Sequence, residues 1–136
     1  MHLAVLVLLL FDIASVKQEP NLEKRSDLAL KNAGAALDTA RDAYSAGDLA
    51  KTQGALEEVS ESVELARESL ESTGKNPRGA GSYKRAEIAT RQLLRRLEGL
   101  KQVMSAVDRD VLDPVEAKVT GVHDRLIQAI MGKKKK

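Results

Sequence analysis

The stretch from Leu30 to Leu70, LKNAGAALDTARDAYSAGDLAKTQGALEEVSESVELARESL, decides the fold of this chain. Its apolar side chains recur in alternating steps of three and four, the spacing that lines one face of an α-helix. We call the row of apolar positions along such a face the seam of the helix. The seam positions of the two halves are Leu30, Ala33, Leu37, Ala40 and Tyr44, then Leu49, Thr52, Leu56, Val59, Val63, Ala66 and Leu70. Between the halves, Gly47 is suited to end one helix and Asp48 to cap the next. The stretch therefore predicts a helical hairpin.

The same spacing resumes beyond a glycine-rich loop at residues 73–81. A third helix, with Ser82 as its expected cap, has the seam Tyr83, Ala86, Thr90, Leu93, Leu97, Leu100, Met104 and Val107. Asp113 is the expected N-cap of a fourth helix, because Pro114 suits the first helical position and Glu116 completes a capping pattern. Its seam is Leu112, Val115, Val119, Val122, Leu126 and Ala129, with a stop expected at Gly132.

These patterns predict an all-α fold, an antiparallel up-and-down bundle of four helices over residues 22–45, 48–72, 82–109 and 113–131. Asn21 is the expected cap of the first helix. Because the connections are short, each helix is expected to lie beside the one before it in the chain. A bundle of three helices with the last one loosely docked is the alternative. The residues expected to be among the most buried are Leu37, Leu56, Val63, Leu97, Leu100 and Val119.

Composition supports the helical prediction. Aromatic residues make up only 2% of the 136 residues, and the chain has no cysteine. Strands draw on aromatic and β-branched residues, whereas this chain is rich in Ala, Leu, Glu, Lys and Arg, which favour helices. The absence of cysteine excludes a disulfide framework and a thiolate metal site. Three glycines within the helices are expected to mark close crossings or bends: Gly54, Gly99 and Gly121.

An apolar run at the start of the chain, Leu3–Phe11, indicates the compartment. It is too short to span a bilayer, and small residues follow it, as in the apolar core and cleavage site of a secretory signal. We therefore expect a signal peptide at residues 1–15, an extended leader at 16–21 and a periplasmic or secreted protein. The usual basic residues before the run are missing, and a cytosolic protein that tucks this run into its own core is the alternative.

Charge is unevenly distributed along the chain, although the net charge is only +2. Residues 22–72 carry 6 Lys and Arg against 11 Asp and Glu, and residues 73–136 carry 15 against 7. The simplest interpretation is an acidic hairpin that packs against a basic one. The functional interpretation is that part of the basic half faces an anionic partner. The lysines at the end of the chain, within residues 132–136, are expected to form a solvated basic tail.

A candidate anion-binding site surrounds the glycine-rich loop. It comprises Lys75, Arg78, Lys84 and Arg85. Basic residues at the start of a helix oppose its dipole, which favours anions there, so such residues are consistent with a bound phosphate, lipid headgroup or acidic protein segment. The alternative is a solubilising loop whose cations pair with carboxylates elsewhere in the chain.

The sequence predicts no catalytic residues, no cofactor and no metal site. Helical bundles that bind metal use Glu-x-x-His pairs, but Thr120 stands three residues before His123. His123 is therefore expected to be a half-buried or surface residue. Its neighbour Asp124 does not complete a Ser-His-Asp arrangement, which needs a base oriented by a third group. The glutamates of the second helix are expected to form a solvated or internally paired face: Glu57, Glu58, Glu61, Glu64, Glu68 and Glu71.

Two resemblances bear on the interpretation. Residues 36–56, around Tyr44, Gly47 and Asp48, resemble the helical corner of a tetratricopeptide-type repeat, and a plain hairpin turn is the alternative. The segments at 19–25, 83–87 and 123–126 look like parts of small exported bacterial helical proteins of uncharacterised function. Neither resemblance implies an activity.

The sequence therefore predicts an exported, non-enzymatic helical bundle that acts as a protein-interaction or structural module. Its expected partner is another protein, and no small-molecule substrate is evident. The alternative is a peripheral protein that binds anionic surfaces, either membrane or nucleic acid, through its basic second half. Because the basic residues have no aromatic residues among them, nucleic-acid binding would rest on phosphate contacts and depend strongly on salt.

Overall fold

The structure, a computed structural model, describes residues 13–132. Five α-helices and one 3-10 helix make up this part of the chain, and it contains no strand. The elements are α1 (Ile13–Lys17), α2 (Leu22–Ser45), α3 (Leu49–Ser72), α4 (Gly81–Val103), the 3-10 helix Asp108–Leu112 and α5 (Asp113–Met131). The four long helices confirm the all-α bundle.

The four long helices pack in the order α2, α3, α5, α4 around the core. Helices α3 and α4 therefore lie diagonally opposite each other and touch only slightly. The expectation that each helix lies beside its predecessor is wrong at this connection, because α3 buries its apolar face against α2 and α5. The chain still runs up and down in order, so α2 is parallel to its neighbour α4 and α3 is parallel to α5.

The core is built mainly from the predicted seams, although Leu49, predicted on the seam of the second helix, is 37% exposed. All six residues expected to be among the most buried are at most 3% exposed, which confirms the helix faces. The α2 seam is built largely of alanine, and this helix makes its most extensive contact with α3. Small side chains allow two helices to approach closely, so α2 and α3 are the most closely packed pair in the bundle.

The leader differs from its prediction, because α1 occupies Ile13–Lys17 and Val16 is buried in the core. Arg25 holds this segment in place. Its Nε donates to Ser69 Oγ at 3.0 Å, and its Nη1 lies 3.5 Å from the carbonyl oxygens of Lys17 and Glu19. The prediction is therefore wrong at residues 16–17, which are helical, whereas residues 18–21 lie outside the helices. Most of the predicted signal peptide, residues 1–12, and the tail from 133 onward lie outside the described residues.

The third predicted helix is shorter than expected. Helix α4 ends at Val103, and Met104 is extended with φ −83° and ψ 146°. The Tyr44 hydroxyl accepts a hydrogen bond from the Ser105 backbone N–H at 3.0 Å and donates to Asp108 at 2.9 Å. A tertiary contact therefore stabilises the turn, which the seam pattern could not indicate. As a result, Val107, predicted to lie on the seam, is 85% exposed.

Two of the four predicted N-caps are confirmed. Asn21 accepts from the Lys24 backbone N–H and Asp48 from that of Lys51. The other two are wrong: Ser82 lies inside α4 and its hydroxyl donates to Glu23, while Asp113 is already helical because the 3-10 helix runs directly into α5. The predicted stops at glycine are confirmed, since Gly47 and Gly132 adopt positive φ angles of 81° and 65°.

The three mid-helix glycines do not mark close crossings. A Cβ atom added at Gly54, Gly99 or Gly121 would meet no atom of the described chain within 4 Å. Gly34, by contrast, lies beneath the guanidinium of Arg96, whose Nη1 is 3.5 Å from its carbonyl oxygen. The open glycines therefore leave space on the helix surfaces.

Candidate functional site

The four cations of the predicted anion site point to different partners. The Lys75 ammonium lies 3.0 Å from Glu23, and the Arg85 guanidinium donates twice to Asp27, at 3.0 and 3.3 Å. Both carboxylates belong to α2. The hydrogen bond from Lys75 is the main cause of a lowered pKa at Glu23, with a smaller contribution from the Ser82 hydroxyl. Two of the four cations, one in the loop and one at the start of α4, thus pair with the start of α2.

The other two cations do not join them. Arg78 donates to the backbone carbonyls of Met131 and Gly132, both at 3.2 Å, and so covers the end of α5. Lys84 is exposed and forms no ion pair within residues 13–132. Three of the four cations therefore have partners within the chain, and the structure does not gather the set into one pocket.

Ion pairs link the acidic hairpin to the basic one, as the simplest interpretation of the charge asymmetry expects. Asp27 and Asp38 of α2 pair with Arg85 and Arg96 of α4. In the same way, Glu64 of α3 contacts Lys118 of α5 at 3.2 Å, and Glu71 contacts Arg125 at 3.2 Å. Two glutamates of the α3 face, Glu64 and Glu71, thus pair with α5, and within residues 13–132 none of this face pairs with the more basic α4.

His123 belongs to a link between α4 and α5. Its Nε2 lies 3.1 Å from Glu87, which also accepts two hydrogen bonds from Arg91, at 2.8 and 3.1 Å. The Arg91 guanidinium, and to a lesser extent His123, lower the pKa of Glu87 to about 2. Both His123 and Glu87 are mostly buried, so the half-buried placement of His123 is confirmed. Within residues 13–132, no three or more His, Cys, Asp and Glu side chains gather as metal ligands would.

A groove runs between the parallel helices α2 and α4 at their carboxyl ends. We call it the arginine groove; its volume is about 450 Å³ and its lining residues are Arg41, Tyr44, Ser45, Arg96, Gly99, Leu100 and Val103. The two arginines share one acid, since Arg96 donates to Asp38 Oδ1 and Arg41 lies 3.9 Å from the same oxygen. Arg41 forms no hydrogen bond through its guanidinium to any other described residue.

A second groove runs between the other parallel pair, α3 and α5. We call it the paired groove; its volume is about 500 Å³ and its lining residues are Glu64, Arg67, Pro114, Ala117, Lys118, Gly121, Val122 and Arg125. Each of its cations contacts Glu64, Glu71 or both. Arg67 contacts Glu64 and Glu71, Lys118 contacts Glu64, and Arg125 contacts Glu71. The hydrogen bond that Arg67 donates to Glu64 raises the pKa of Arg67 above its ordinary value. The cations of the paired groove are therefore already paired with carboxylates of the chain itself.

Two large aliphatic side chains are exposed beside the arginine groove. Val103 is 69% exposed and lines the groove, and Val107 is 85% exposed in the turn that follows. Sequence reasoning missed this surface, because it counted Val107 as core. The available signal was weak: Val103 falls off the seam of the third helix, three residues after Leu100 and one before Met104.

No known family model, curated protein or solved structure matches this chain. None of the helices in residues 13–132 combines the length and apolar character that a membrane span requires.

Proposed function

We propose that this bundle is a non-enzymatic protein-interaction module, whose partner binds at the arginine groove and the adjoining Val103 and Val107. The exposure of these two valines carries the proposal. The described chain buries most of its large aliphatic residues, whereas Val103 lines the groove and is mostly exposed, and Val107 is exposed in the turn that follows. Exposed apolar groups next to a concave surface rimmed by polar residues are typical of binding sites.

Site-specific crosslinking in the native cells tests this proposal. A photoreactive amino acid replaces Val107 in one version of the chain and Glu61, an exposed residue on α3, in a control version. We expect a discrete protein adduct from position 107, none from position 61, and loss of the adduct when Val103→Asp is added. Equal labelling at both positions, or an adduct with lipid or nucleic acid instead of protein, would contradict the proposal.

We also propose export to the periplasm or beyond, as the apolar run Leu3–Phe11 predicts. Of the described core residues Val16 is the first, so cleavage before Val16 removes none of them. Intact-mass measurement on protein made from the full native start in its own cells should show a chain that lacks residues 3–11. Recovery of the unprocessed chain from the cytosol would contradict export.

Binding to an anionic surface is the second candidate function, and the unpaired Lys84 on the outer side of α4 favours it. We expect weak or no retention on heparin or anionic vesicles, because Lys75 and Arg85 are already paired. Tight retention that weakens with salt, and that disappears when Lys75, Arg78, Lys84 and Arg85 are all replaced by glutamine with helicity intact, would promote this alternative.

A further inference from the structure

We infer that the arginine groove binds an acidic segment of the partner protein, with a carboxylate held between Arg41 and Arg96 and an apolar side chain seated over Gly99. This inference rests on the proposed function and specifies the chemistry of the partner. It follows from three observations: the charge of the groove, the space inside it and the apolar surface at its rim.

Charge distinguishes this groove from the other. In the paired groove three cations share Glu64 and Glu71, and each contact uses a separate carboxylate oxygen, whereas Arg41 and Arg96 converge on the single oxygen Asp38 Oδ1. A guanidinium has five N–H donors. Arg96 directs one at Asp38 and one at the Gly34 carbonyl, and Arg41 directs none at hydrogen-bond distance. The groove therefore retains donors for a second carboxylate.

The acids near the groove do not fill this role. Asp42 lies one helical turn beyond Asp38 on α2, is exposed and forms no ion pair within residues 13–132. It does not line the groove. Within residues 13–132, Asp38 is thus the only carboxylate that engages the two arginines, and a bound acidic group would compete with it directly.

Space for an apolar group lies above Gly99. Glycine inside a helix costs about 1 kcal/mol relative to alanine, yet nothing in the described chain approaches within 4 Å of where a Cβ would be. Internal packing therefore does not require a glycine here. Its missing side chain deepens the groove between Tyr44 and Leu100, and Val103 extends the apolar surface outward.

A partner that fits both the two arginines and the apolar space over Gly99 carries a carboxylate next to an apolar side chain. An acidic amphipathic helix or turn provides this combination, and Arg is the cation best suited to hold a carboxylate at two points. An extended anionic surface such as a membrane or nucleic acid matches the site less well, because a groove of about 450 Å³ encloses one side chain better than a plane.

Binding of two matched synthetic peptides to the folded chain tests the inference. The first peptide is a short amphipathic helix with leucines on one face and glutamates beside them, and the second has glutamine in place of each glutamate. We expect the glutamate peptide to bind at least about tenfold more tightly, and its affinity to fall as salt rises. Arg41→Gln and Arg96→Gln should each weaken it severalfold, whereas Lys31→Gln, an exposed cation of α2 outside the groove, should leave it unchanged.

Two further variants separate this site from a general charge effect. Gly99→Leu should fill the groove and abolish peptide binding, whereas Gly121→Leu, the equivalent glycine of the paired groove, should not. Asp38→Asn should tighten binding, because it removes the competing carboxylate. Circular dichroism confirms that each variant remains helical before its affinity is measured.

The inference is overturned if both peptides bind equally, if Gly99→Leu binds as well as the unaltered chain, or if decanoate or anionic vesicles bind the groove in preference to the peptide. Crosslinking from position 107 distinguishes this failure from failure of the proposed function. An adduct that survives Arg41→Gln together with Arg96→Gln keeps the interaction module but rejects an acidic partner. Loss of the adduct in this double variant supports both.

Discussion

Tyr44 shows how one residue can serve two separate parts of a chain. At the sequence level it ends the seam of the first helix, next to the Gly47 turn. In the structure its hydroxyl bonds to Ser105 and Asp108, far along the chain, and fixes the connection between α4 and α5. Val107 lies between Ser105 and Asp108 in the chain, so these two hydrogen bonds fix the position of this exposed residue. One phenol therefore positions the surface that we propose as the binding site.

Removing this hydroxyl should destabilise the protein modestly. We expect Tyr44→Phe to lower the free energy of unfolding by about 1–2 kcal/mol, because one of its bonds goes to a carboxylate. Tyr83→Phe is the matched control, since the Tyr83 hydroxyl makes no hydrogen bond to the described residues. Urea denaturation of both variants measures the difference. Equal losses in the two variants would show that the Tyr44 bonds contribute nothing.

Leu97 tests the core at the same scale. Its side chain is completely buried, so Leu97→Ala should cost about 2–5 kcal/mol through lost apolar burial and the cavity left behind. Val103→Ala in the same helix should cost less than about 0.5 kcal/mol, because that side chain is mostly exposed. A loss below about 0.5 kcal/mol at Leu97, measured by denaturation, would mean that the α4 seam is on the surface.

At the scale of elements, local chemistry predicts where some helices begin and fails where distant contacts decide. Asn21 and Asp48 cap their helices through bonds to the residues three positions ahead, so the sequence pattern alone predicts them. Helix α4 continues in pattern as far as Val107 but ends at Val103, because Tyr44 and Arg109 bond to the turn that follows. Helix α1 likewise depends on distant contacts, because Val16 is buried in the core beside α2 and α3.

The glycines give a prediction for a single helix. Gly54 is exposed in the middle of α3 with open space around it, so Gly54→Ala should raise the free energy of unfolding by about 1 kcal/mol. Gly47→Ala should have the opposite sign, since a φ of 81° strains any residue with a Cβ. Thermal unfolding of the two variants checks both signs. A loss of stability at Gly54 would indicate a contact that requires the glycine.

At the scale of the whole molecule, the seams predicted the bundle and its core. The packing order of the helices and the candidate site depend on which helices are neighbours, and the seams do not specify this. Seam spacing specifies which face of each helix is buried but not which helix covers it. Three of the four cations predicted as an anion site are used within the chain, and the two arginines of the proposed groove were not singled out as a pair. The relevant signal exists only once α2 and α4 are known to be parallel neighbours.

Carboxylates that pair with cations should make the protein sensitive to acid. The pKa of Glu87 is lowered to about 2, chiefly by Arg91, and the pKa values of Glu23 and Glu64 are also lowered by their cationic partners. A carboxylate whose pKa is lower in the folded state stabilises it above the ordinary pKa, and this contribution is lost as pH falls through the folded value. The free energy of unfolding should therefore fall between about pH 5 and pH 2.

Glu87→Gln isolates one part of this dependence. The variant should be less stable than the unaltered chain at neutral pH, and the two should converge near about pH 2, where Glu87 itself becomes protonated. Glu61→Gln is the control, because Glu61 is exposed and forms no ion pair within residues 13–132. Denaturation curves across this pH range decide the matter. A constant difference between Glu87→Gln and the unaltered chain would contradict the assignment.

The connection at residues 73–80 carries the chain from α3 to a helix on the opposite corner of the bundle. Neighbouring helices lie about 8–10 Å apart, so this diagonal is about 14 Å. A link of two residues reaches only about 10 Å when fully extended. A chain with only a two-residue link between α3 and α4 could not pack its second hairpin against its first. Two such chains could instead exchange hairpins and complete both bundles. The length of this loop thus allows both hairpins of one chain to close into a single bundle without exchange between chains.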